Sequence, residues 1–464
     1  VAVDVELTRN AQGTAPLPDG DADGFGADYG PGYGLGSGDE QAGQLSPDRN
    51  VPLLIVRIGR YAPHHGTTAL IRSLGRLGVP VYAVTRTGLA NGRLSRYLTG
   101  SFAWPTTGLE SQADLVRGLH RIADRLGRPA VAVAGDDEAA IVLAEHRAAF
   151  AGRLLAPPVA PGLPRRLADK WDLHELCVRH AVPTPRSVCP QTAAELDEAV
   201  AAIGLPVVVK NRAPFDRLRA PVVPATTVLR RRAEVEAVKR AMARPGHAKI
   251  IVQEYLTPDP TTQDQPPDWF VHIYCDAGSR ALVCFTGVKL RAWPTGGGVT
   301  ARGLALANPG LAELSERFCR SIGFCGLGDL DWRFDRASGR FHLVDFNPRT
   351  GAQAQLFRTA AGVDGVRALH LDLTGRPVPQ AAQIDGVELR VEHLDLASGL
   401  VTRVFDRRAP VRTVDTQREN AWFARDDVLP FVAASTRFAG RAVTRGFSTV
   451  ATGVRLGIDR AQGP

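Results

Sequence analysis

Asp331, Asp345 and Asn347 stand in two runs that alternate apolar and polar residues, Gly326-Leu-Gly-Asp-Leu-Asp-Trp-Arg-Phe-Asp335 and Phe341-His-Leu-Val-Asp-Phe-Asn-Pro-Arg349. A period of two predicts strands, and the intervening Arg336-Ala-Ser-Gly339 has turn chemistry, so the pair reads as an antiparallel hairpin. Folding near Ser338 sets Asp331 directly across from Asp345, with Asn347 on the same face two residues on. Opposed carboxylates with Cβ atoms about 4.5–5.5 Å apart repel one another. A hard divalent cation between them would turn that arrangement favourable. The plainer reading is a solvated face of surface acids, the common fate of aspartate. Arg349 follows, a fixed cation suited to phosphate or carboxylate oxygens.

The other cations narrow the chemistry. Nearly all are arginine, and lysine occurs only at 170, 210, 239, 249 and 289. A compact ammonium held against phosphate is a role that arginine fills poorly, which directs attention to Lys170, Lys210 and Lys289. Chance survival is the competing reading. Lys289 and Arg291 are expected on one strand face, just ahead of the glycines at 296–298, a combination suited to an anionic group under a mobile cover. The strand 249–256 could offer backbone groups to a purine edge, with Tyr255 and Leu256 on its faces, or be a plain strand end.

These residues need elements to hold them. At 464 residues the chain exceeds the size at which one core stops growing, so two or three packed units are expected. Formal charge is +8 and the pI about 9.4, but the excess is arginine spread along the whole chain, so nucleic acid is not an expected partner. Cysteines at 177, 189, 275, 284, 319 and 325 form no C-x-x-C pair, which predicts reduced thiols. No apolar run reaches the roughly 18 residues of a membrane span, and no basic-then-apolar leader opens the sequence, so the expected location is the cytoplasm.

Residues 1–48, rich in Gly, Asp and Pro, read as a disordered acidic tail. Strands over 51–58, 79–84 and 130–134 alternate with helices over 67–77 and 113–126 and a helix opening at Asp136-Asp-Glu138. Such an order predicts a parallel sheet covered by helices, a Rossmann-like unit. Its first strand is not followed by G-x-G-x-x-G, so nothing argues for a dinucleotide, and Arg57, His64 and His65 read first as solvated loop residues. A Pro-rich linker over 156–161 leads to an amphipathic helix over 167–179, a helix over 193–203, a strand 205–210 ending in Lys210, and a helix over 233–243. A second hairpin, 269–274 with 281–286, precedes Lys289, and a helix over 311–322 leads to the acidic hairpin. Further on, 387–394 reads as a strand, and a helix from 428 to about 456 carries Arg437, Arg441 and Arg445 as a basic stripe. Packing of that helix on its own domain is the ordinary reading, an anionic membrane surface or a partner protein the alternative.

Taken together, Asp169-Lys170 opening a helix, Pro206-Val-Val-Val-Lys210, Val252-Gln-Glu-Tyr-Leu256, Lys289-Leu-Arg291 with Trp293-Pro294, Leu330-Asp331-Trp332 and Val344-Asp-Phe-Asn-Pro-Arg349 resemble the ATP-grasp superfamily over about residues 51–360. Within it they resemble the carboxylate–amine ligases that carry a Rossmann-like domain in front. The resemblance implies an α/β and α+β chain: a Rossmann-like pre-ATP-grasp domain over 49–160, a two-subdomain ATP-grasp fold over 165–375 (small subdomain about 165–255, large about 256–375) and a C-terminal extension over 376–464. It implies ATP held between the subdomains, with Lys170 and Lys210 on phosphates, Gln253, Glu254, Tyr255 and Leu256 as the adenine hinge, and Asp268 at the ribose. Asp331, Asp345 and Asn347 would hold Mg2+ or Mn2+. Arg349, helped by Lys289 and Arg291, would contact the phosphoryl group in transfer or an acyl phosphate.

The sequence departs from the family's pattern at three points. Asp345 stands where glutamate is frequent, and Asp329, on the same face as Asp331, is an alternative metal ligand. The segment 211–221, a glycine-rich phosphate loop in the family, has no glycine here, so Arg212, Arg217 or Arg219 is expected to hold phosphate instead. The expected activity is ATP- and Mg-dependent joining of a small carboxylic acid or amino acid to an amine. A carboxylase or kinase on another acceptor is one alternative, and a catalytically inactive nucleotide-binding regulatory or scaffold protein is another.

Overall fold

A computed structural model describes residues 45–61, 65–85, 91–224, 226–256, 268–293, 298–405 and 417–440. The tail expected over 1–48 lies outside these up to residue 44, as do His64, the 257–267 segment, the glycines at 296 and 297, and the helix expected beyond 440.

The first unit comprises β1 (Leu53–Val56), α1 (His65–Gly75), β2 (Val81–Thr85), β3 (Gly100–Ala103), α2 (Gln112–Leu126), β4 (Ala130–Ala134), α3 (Asp137–Glu145) and β5 (Leu154–Leu155). Its five strands are parallel in the order β3-β2-β1-β4-β5. Leu53 to Val56 are all 0% exposed, because helices cover both faces of the sheet and no residue of β1 looks outward. The chain winds from β1 outward to β2 and β3, then returns to β4 on the other side of β1. The strands β3 and β5 were not expected: one is half-exposed and the other only two residues long, so neither has a hydrophobic pattern to read.

The helix expected over 167–179 forms as two. α4 (Leu163–Ala168) stops and α5 (Lys170–Arg179) starts at Asp169, whose backbone is extended (φ −78°, ψ 121°). The Asp169 carboxylate accepts the N–H groups of Trp171 and Asp172, an N-cap lodged inside a continuous apolar periodicity. β6 (Ser187–Val188), α6 (Ala193–Ile203), β7 (Val207–Asn211), α7 (Pro214–Arg219), β8 (Thr227–Leu229), α8 (Arg232–Met242) and β9 (Ile250–Glu254) follow. Their antiparallel sheet, β6-β9-β7-β8, packs Val207, Val209 and Val252 beneath Leu196, Val200, Val235 and Val238 of α6 and α8. The segment expected as an irregular phosphate loop contains α7 instead.

The third sheet is built from β10 (Asp268–Cys275), β11 (Ala281–Trp293), β12 (Val299–Ala305), β13 (Gly326–Asp335), β14 (Arg340–Asn347), β15 (Val387–Arg390) and β16 (Gln417–Asn420), with α9 (Pro309–Ser321), α10 (Gly365–Leu373) and α11 (Glu392–Phe405) around it. Its order is β14-β13-β10-β11-β12-β15-β16. One face buries Val271, Ile273, Leu330, Trp332 and Phe346 beneath α9, α4 and α5. On the opposite face Phe270, Tyr274 and Phe285 share a core with Ile55, Val81 and Leu70 of the first unit.

The described part of the C-terminal extension expected over 376–464 joins the large sheet. β15 pairs with β12 and β16 with β15. The strand expected over 387–394 ends at Arg390, and α11 begins at Glu392. Helical residues 429–440 bring Phe431 and Ala434 into the core that holds Leu70 and Leu74. Buried Arg72 of α1 donates to the Asp427 carboxylate at 2.9 Å and to the Trp422 carbonyl at 2.6 Å. That helix packs on its own molecule as far as residue 440, while Arg441 and Arg445 of the basic stripe lie outside the described residues. No helix among the described residues is long and apolar enough to cross a membrane.

Candidate active site

The acidic hairpin has the expected register where the acids lie. Asp331 pairs with Asp345 and Asp329 with Asn347. Nearer the tip a β-bulge shifts the pairing by one, so that Trp332 meets Leu343 and Val344 becomes the supernumerary residue. A bulged residue has no place in the ladder, and the Val344 carbonyl instead accepts the Lys210 ammonium at 2.8 Å. Lys170, at the start of α5, donates to Asp345 Oδ1. The two ammonium groups come from separate elements of the small unit, held in register by Arg212. The Arg212 carbonyl accepts the Lys170 N–H at 3.0 Å, while its guanidinium binds Asp169 at 2.7 Å and Asp172 at 2.8 Å.

Lys289 approaches Asp331 from β11 at 3.8 Å. Arg291 does not accompany it. Register shifts after Lys289 interrupt the alternation of β11, and the Arg291 guanidinium donates to Asp395 of α11 at 2.7 Å, beside Arg302. The expectation that Lys289 and Arg291 act from one face is therefore corrected, because a bulge is invisible to a strict period of two. Arg349 lies at the other end of the acids, 3.0 Å from Asp329 Oδ2 and 3.4 Å from Asp137 of the first unit. His272 of β10 lies 3.3 Å from Asp329 Oδ1, tucked against Gly351, where an added Cβ would come within 2.3 Å of the imidazole.

At the expected hinge, Gln253 donates to Ser187 and the Glu254 carboxylate accepts from Arg186. The Tyr255 ring has guanidinium carbons of Arg230 and Arg333 at 5.2 and 5.8 Å from its centroid. Arg333 also holds Asp268 at 2.7 Å and donates to the Leu256 carbonyl at 3.3 Å, tying the hinge to the large sheet. Arg333 and His272 escaped the sequence reading: alternation signals Arg333, two residues past Asp331, whereas His272 meets Asp329 only through the pairing of β10 with β13.

No family model matches the chain, and no curated protein matches it in sequence. Solved structures do match in shape. N5-carboxyaminoimidazole synthetase from Staphylococcus aureus, complexed with ADP, aligns with a TM-score of 0.53 at 10% identity over 74% of this chain and 81% of that one. The biotin carboxylase domain of 2-oxoglutarate carboxylase from Hydrogenobacter thermophilus, with MgADP, ADP and bicarbonate, aligns with a TM-score of 0.50 at 15% identity over 71% of each chain. Biotin carboxylase from Campylobacter jejuni, in a β,γ-ATP complex, aligns with a TM-score of 0.51 at 13% identity over 73% and 74%.

The chain has the ATP-grasp fold.

Charge around the facing acids is closely balanced. Burial pushes the Lys210 ammonium down from its ordinary 10.5 to about 8, with Lys170 adding to the shift against the pull of Asp345. Burial also raises Asp331, which Asp329 and Asp345 push further while Lys289 opposes. Burial acts the same way on Asp345, but Lys170 and Lys210 outweigh it and hold that carboxyl below its usual range. Asp329 is similarly overridden by His272 and Arg349 and lies at about 2. Exposure separates the candidate ligands: the side chains of Asp331 and Asp345 are 31% and 23% exposed, whereas Asp329 is 8% exposed and engaged by His272 and Arg349.

Among the described residues no three His, Cys, Asp or Glu side chains converge to hold a metal ion unaided. Two accessible carboxylates and an amide form an all-oxygen set that fits Mg2+, an ion commonly bound through one or two carboxylates plus substrate phosphates. Of the arginines expected to replace a glycine loop, Arg212 is paired with Asp169 and Asp172, and Arg217 with Asp137 and Tyr61.

Proposed function

We propose that the chain is an ATP- and magnesium-dependent ligase that activates a small carboxylate as an acyl phosphate and couples it to an amine. The observation that carries this reading is the convergence of Lys170 and Lys210, from two elements of the small unit, on the one strand whose Asp345 faces Asp331. Anionic phosphates entering between the units would meet two ammonium groups and an oxygen-donor set together. Asp331, Asp345 and Asn347 would hold Mg2+ or Mn2+, which when bound offsets charge on phosphate oxygens during transfer.

The chain's own groups account for the remaining roles. Lys170 and Lys210 bind phosphate, exchanging their present partners for it. Lys289, whose ammonium is kept charged by Asp331, Asp268 and Asp329 despite burial, stands beside the metal set. Arg349 faces the transferring group and stabilises the pentacoordinate charge. Gln253 to Leu256 offer backbone to the base, with Tyr255 stiffened by its two arginines, and Asp268, oriented by Arg333, serves the ribose. No covalent enzyme nucleophile is required.

The test is release of ADP and phosphate from ATP against pooled carboxylic acids and amines, with Asp345→Ala as the blank. Release that requires both an acid and an amine supports the ligase, and release that requires bicarbonate alone supports the carboxylase alternative. The absence of glycine from 211–221 and its folding into α7 favour a second reading, nucleotide binding without turnover. Tight MgADP binding with no phosphate released from any mixture would establish that reading.

A further inference from the structure

Residues just past β1 and β4 form a cluster that the chemistry above leaves unused. They lie at the carboxyl ends of adjacent parallel strands, where the winding of the first sheet reverses and where open α/β sheets take ligands. Asp136 builds the frame: Oδ1 accepts the Ala139 N–H, capping α3, and Oδ2 accepts those of Ile58 and Gly59 at 2.9 and 3.0 Å. A Cβ at residue 59 would lie 2.3 Å from the Tyr61 ring and 3.1 Å from Glu138 Oε2, so only glycine lets the loop pass this close.

The next two acids carry more acceptor capacity than their surroundings use. Asp137 and Glu138 are 2% and 0% exposed. Tyr61 donates to Glu138 Oε1 at 2.6 Å, and Arg217 donates to Asp137 Oδ2 at 2.9 Å. Asp137 Oδ1 and Glu138 Oε2 accept no hydrogen bond from the described residues. Two buried carboxylate oxygens lacking donors are costly and call for a cation with several N–H groups. Arg217 supplies only part of this. It reaches in from α7, leaves its side chain 32% exposed and stacks its guanidinium 5.0 Å over the Tyr61 ring. On the far side Arg349 spans from Asp137 to Asp329, so a single guanidinium separates this acid pair from the acidic hairpin.

We propose that Asp137 and Glu138 form the subsite for the ammonium group of a cationic amine substrate, with the Arg217 side chain standing in when that substrate is absent. The fate of the bound amine rests on the ligase reading, whereas its binding does not. A primary ammonium has three donors to offer Glu138 Oε2 and Asp137 Oδ1, the latter now facing only the Arg349 Nε at 3.4 Å. Arg217, at the rim, swings out to solvent as the amine enters. Phosphate drawn to Arg349 takes that guanidinium away from Asp137 and strengthens the demand for a cation, so nucleotide and amine bind cooperatively. Burial and the neighbouring Asp136 and Asp137 hold the Glu138 carboxyl up at about 7, and an arriving ammonium drives it to ionise.

The test is thermal melting and calorimetric binding on the full chain, with and without MgADP, using putrescine, agmatine and ethanolamine against the neutral butanediol. A cationic probe at ten times its Kd should raise Tm by about 2 °C, and butanediol should not. Glu138→Gln and Asp137→Asn should each weaken that probe at least tenfold; Glu138→Gln should bind MgADP as the parent does, and a cooperative thermal melt shows that each variant folds. Arg217→Ala should tighten it several-fold, since the competitor is gone; a purely structural ion pair predicts no gain. Undiminished binding in both acid variants, weaker binding in Arg217→Ala, or no binding of any cationic probe even to Arg217→Ala would overturn the proposal. Failure of MgADP to bind would count against the ligase reading alone, because the nucleotide-free arms still decide this one.

Discussion

Lys210 is the residue on which pH should act. Its ammonium is lowered to about 8 in the folded chain, against an ordinary 10.5. Between those values the unfolded chain holds the proton more tightly, so stability rises with pH while the charge needed for phosphate is lost. MgADP affinity should therefore decline above pH 8. A bound polyphosphate pulls the proton back, and calorimetry near pH 8.5 in two buffers of different ionisation enthalpy should report net proton uptake. In Lys210→Met both the decline and the uptake should vanish, with affinity already low at pH 7. Among the acids, Asp331→Asn and Asp345→Asn should remove Mg2+-dependent phosphoryl transfer by a factor of at least a thousand. Asp329→Asn should act mainly through Arg349 and His272, slowing transfer while leaving the Mg2+ concentration dependence in place. An unchanged rate in Asp345→Asn would sink the metal assignment.

At the scale of elements, the site depends on how α5 meets β7. Asp169 interrupts a continuous apolar periodicity to cap α5, and Arg212 fastens that cap to the strand end carrying Lys210. Asp169→Ala should cost about 1 kcal/mol through the cap alone, read by urea denaturation. It should weaken MgADP binding as well, because Lys170 and Lys210 then lose their common anchor. Arg291→Ala should do the opposite, losing stability through Asp395 with little effect on nucleotide affinity. Side-chain alternation made the hairpin, its facing acids and the position of Asn347 legible in the sequence. The same alternation misled at Lys289 and Arg291, where register shifts of β11 intervene, and the cap at Asp169 was hidden because helical periodicity runs straight through it. Bulges and internal caps are set by tertiary partners, Val344 by Lys210 and Asp169 by Arg212, which lie over forty residues away in sequence.

At the scale of the molecule, the first unit, the large sheet and the C-terminal segment share one core, running from Ile55 and Leu70 through Phe270 and Phe285 to Ala434. The parallel first sheet could be read from its buried runs, and β15 within the strand expected over 387–394, but β16 could not, because its four residues are all polar. The anchor of the C-terminal segment is the Arg72–Asp427 pair, 5% and 2% exposed. Arg72→Met leaves the Asp427 carboxylate buried without its cation and should cost about 3–5 kcal/mol in urea denaturation. Loss of less than 1 kcal/mol would mean that the segment docks by apolar contact alone. The first unit also carries a pH signature of its own. Glu138 is raised from 4.5 to about 7 by burial and its neighbouring acids, so its folded form binds the proton more tightly and stability falls as pH rises across that window. Denaturation midpoints between pH 5 and 8 should show a shallower fall in Glu138→Gln than in the parent.

The hairpin's two ends keep different registers, and that limits where its length can vary. Residues added beyond Val344, at the tip, only lengthen a ribbon that reaches into solvent. One residue inserted between Val344 and Asp345 would invert the remainder of the strand, sending the Asp345 carboxylate to the face where Phe346 is buried and presenting a phenyl ring to two ammonium groups. Relatives of this chain should accordingly differ in length at 336–339 and never in the three positions after the bulge.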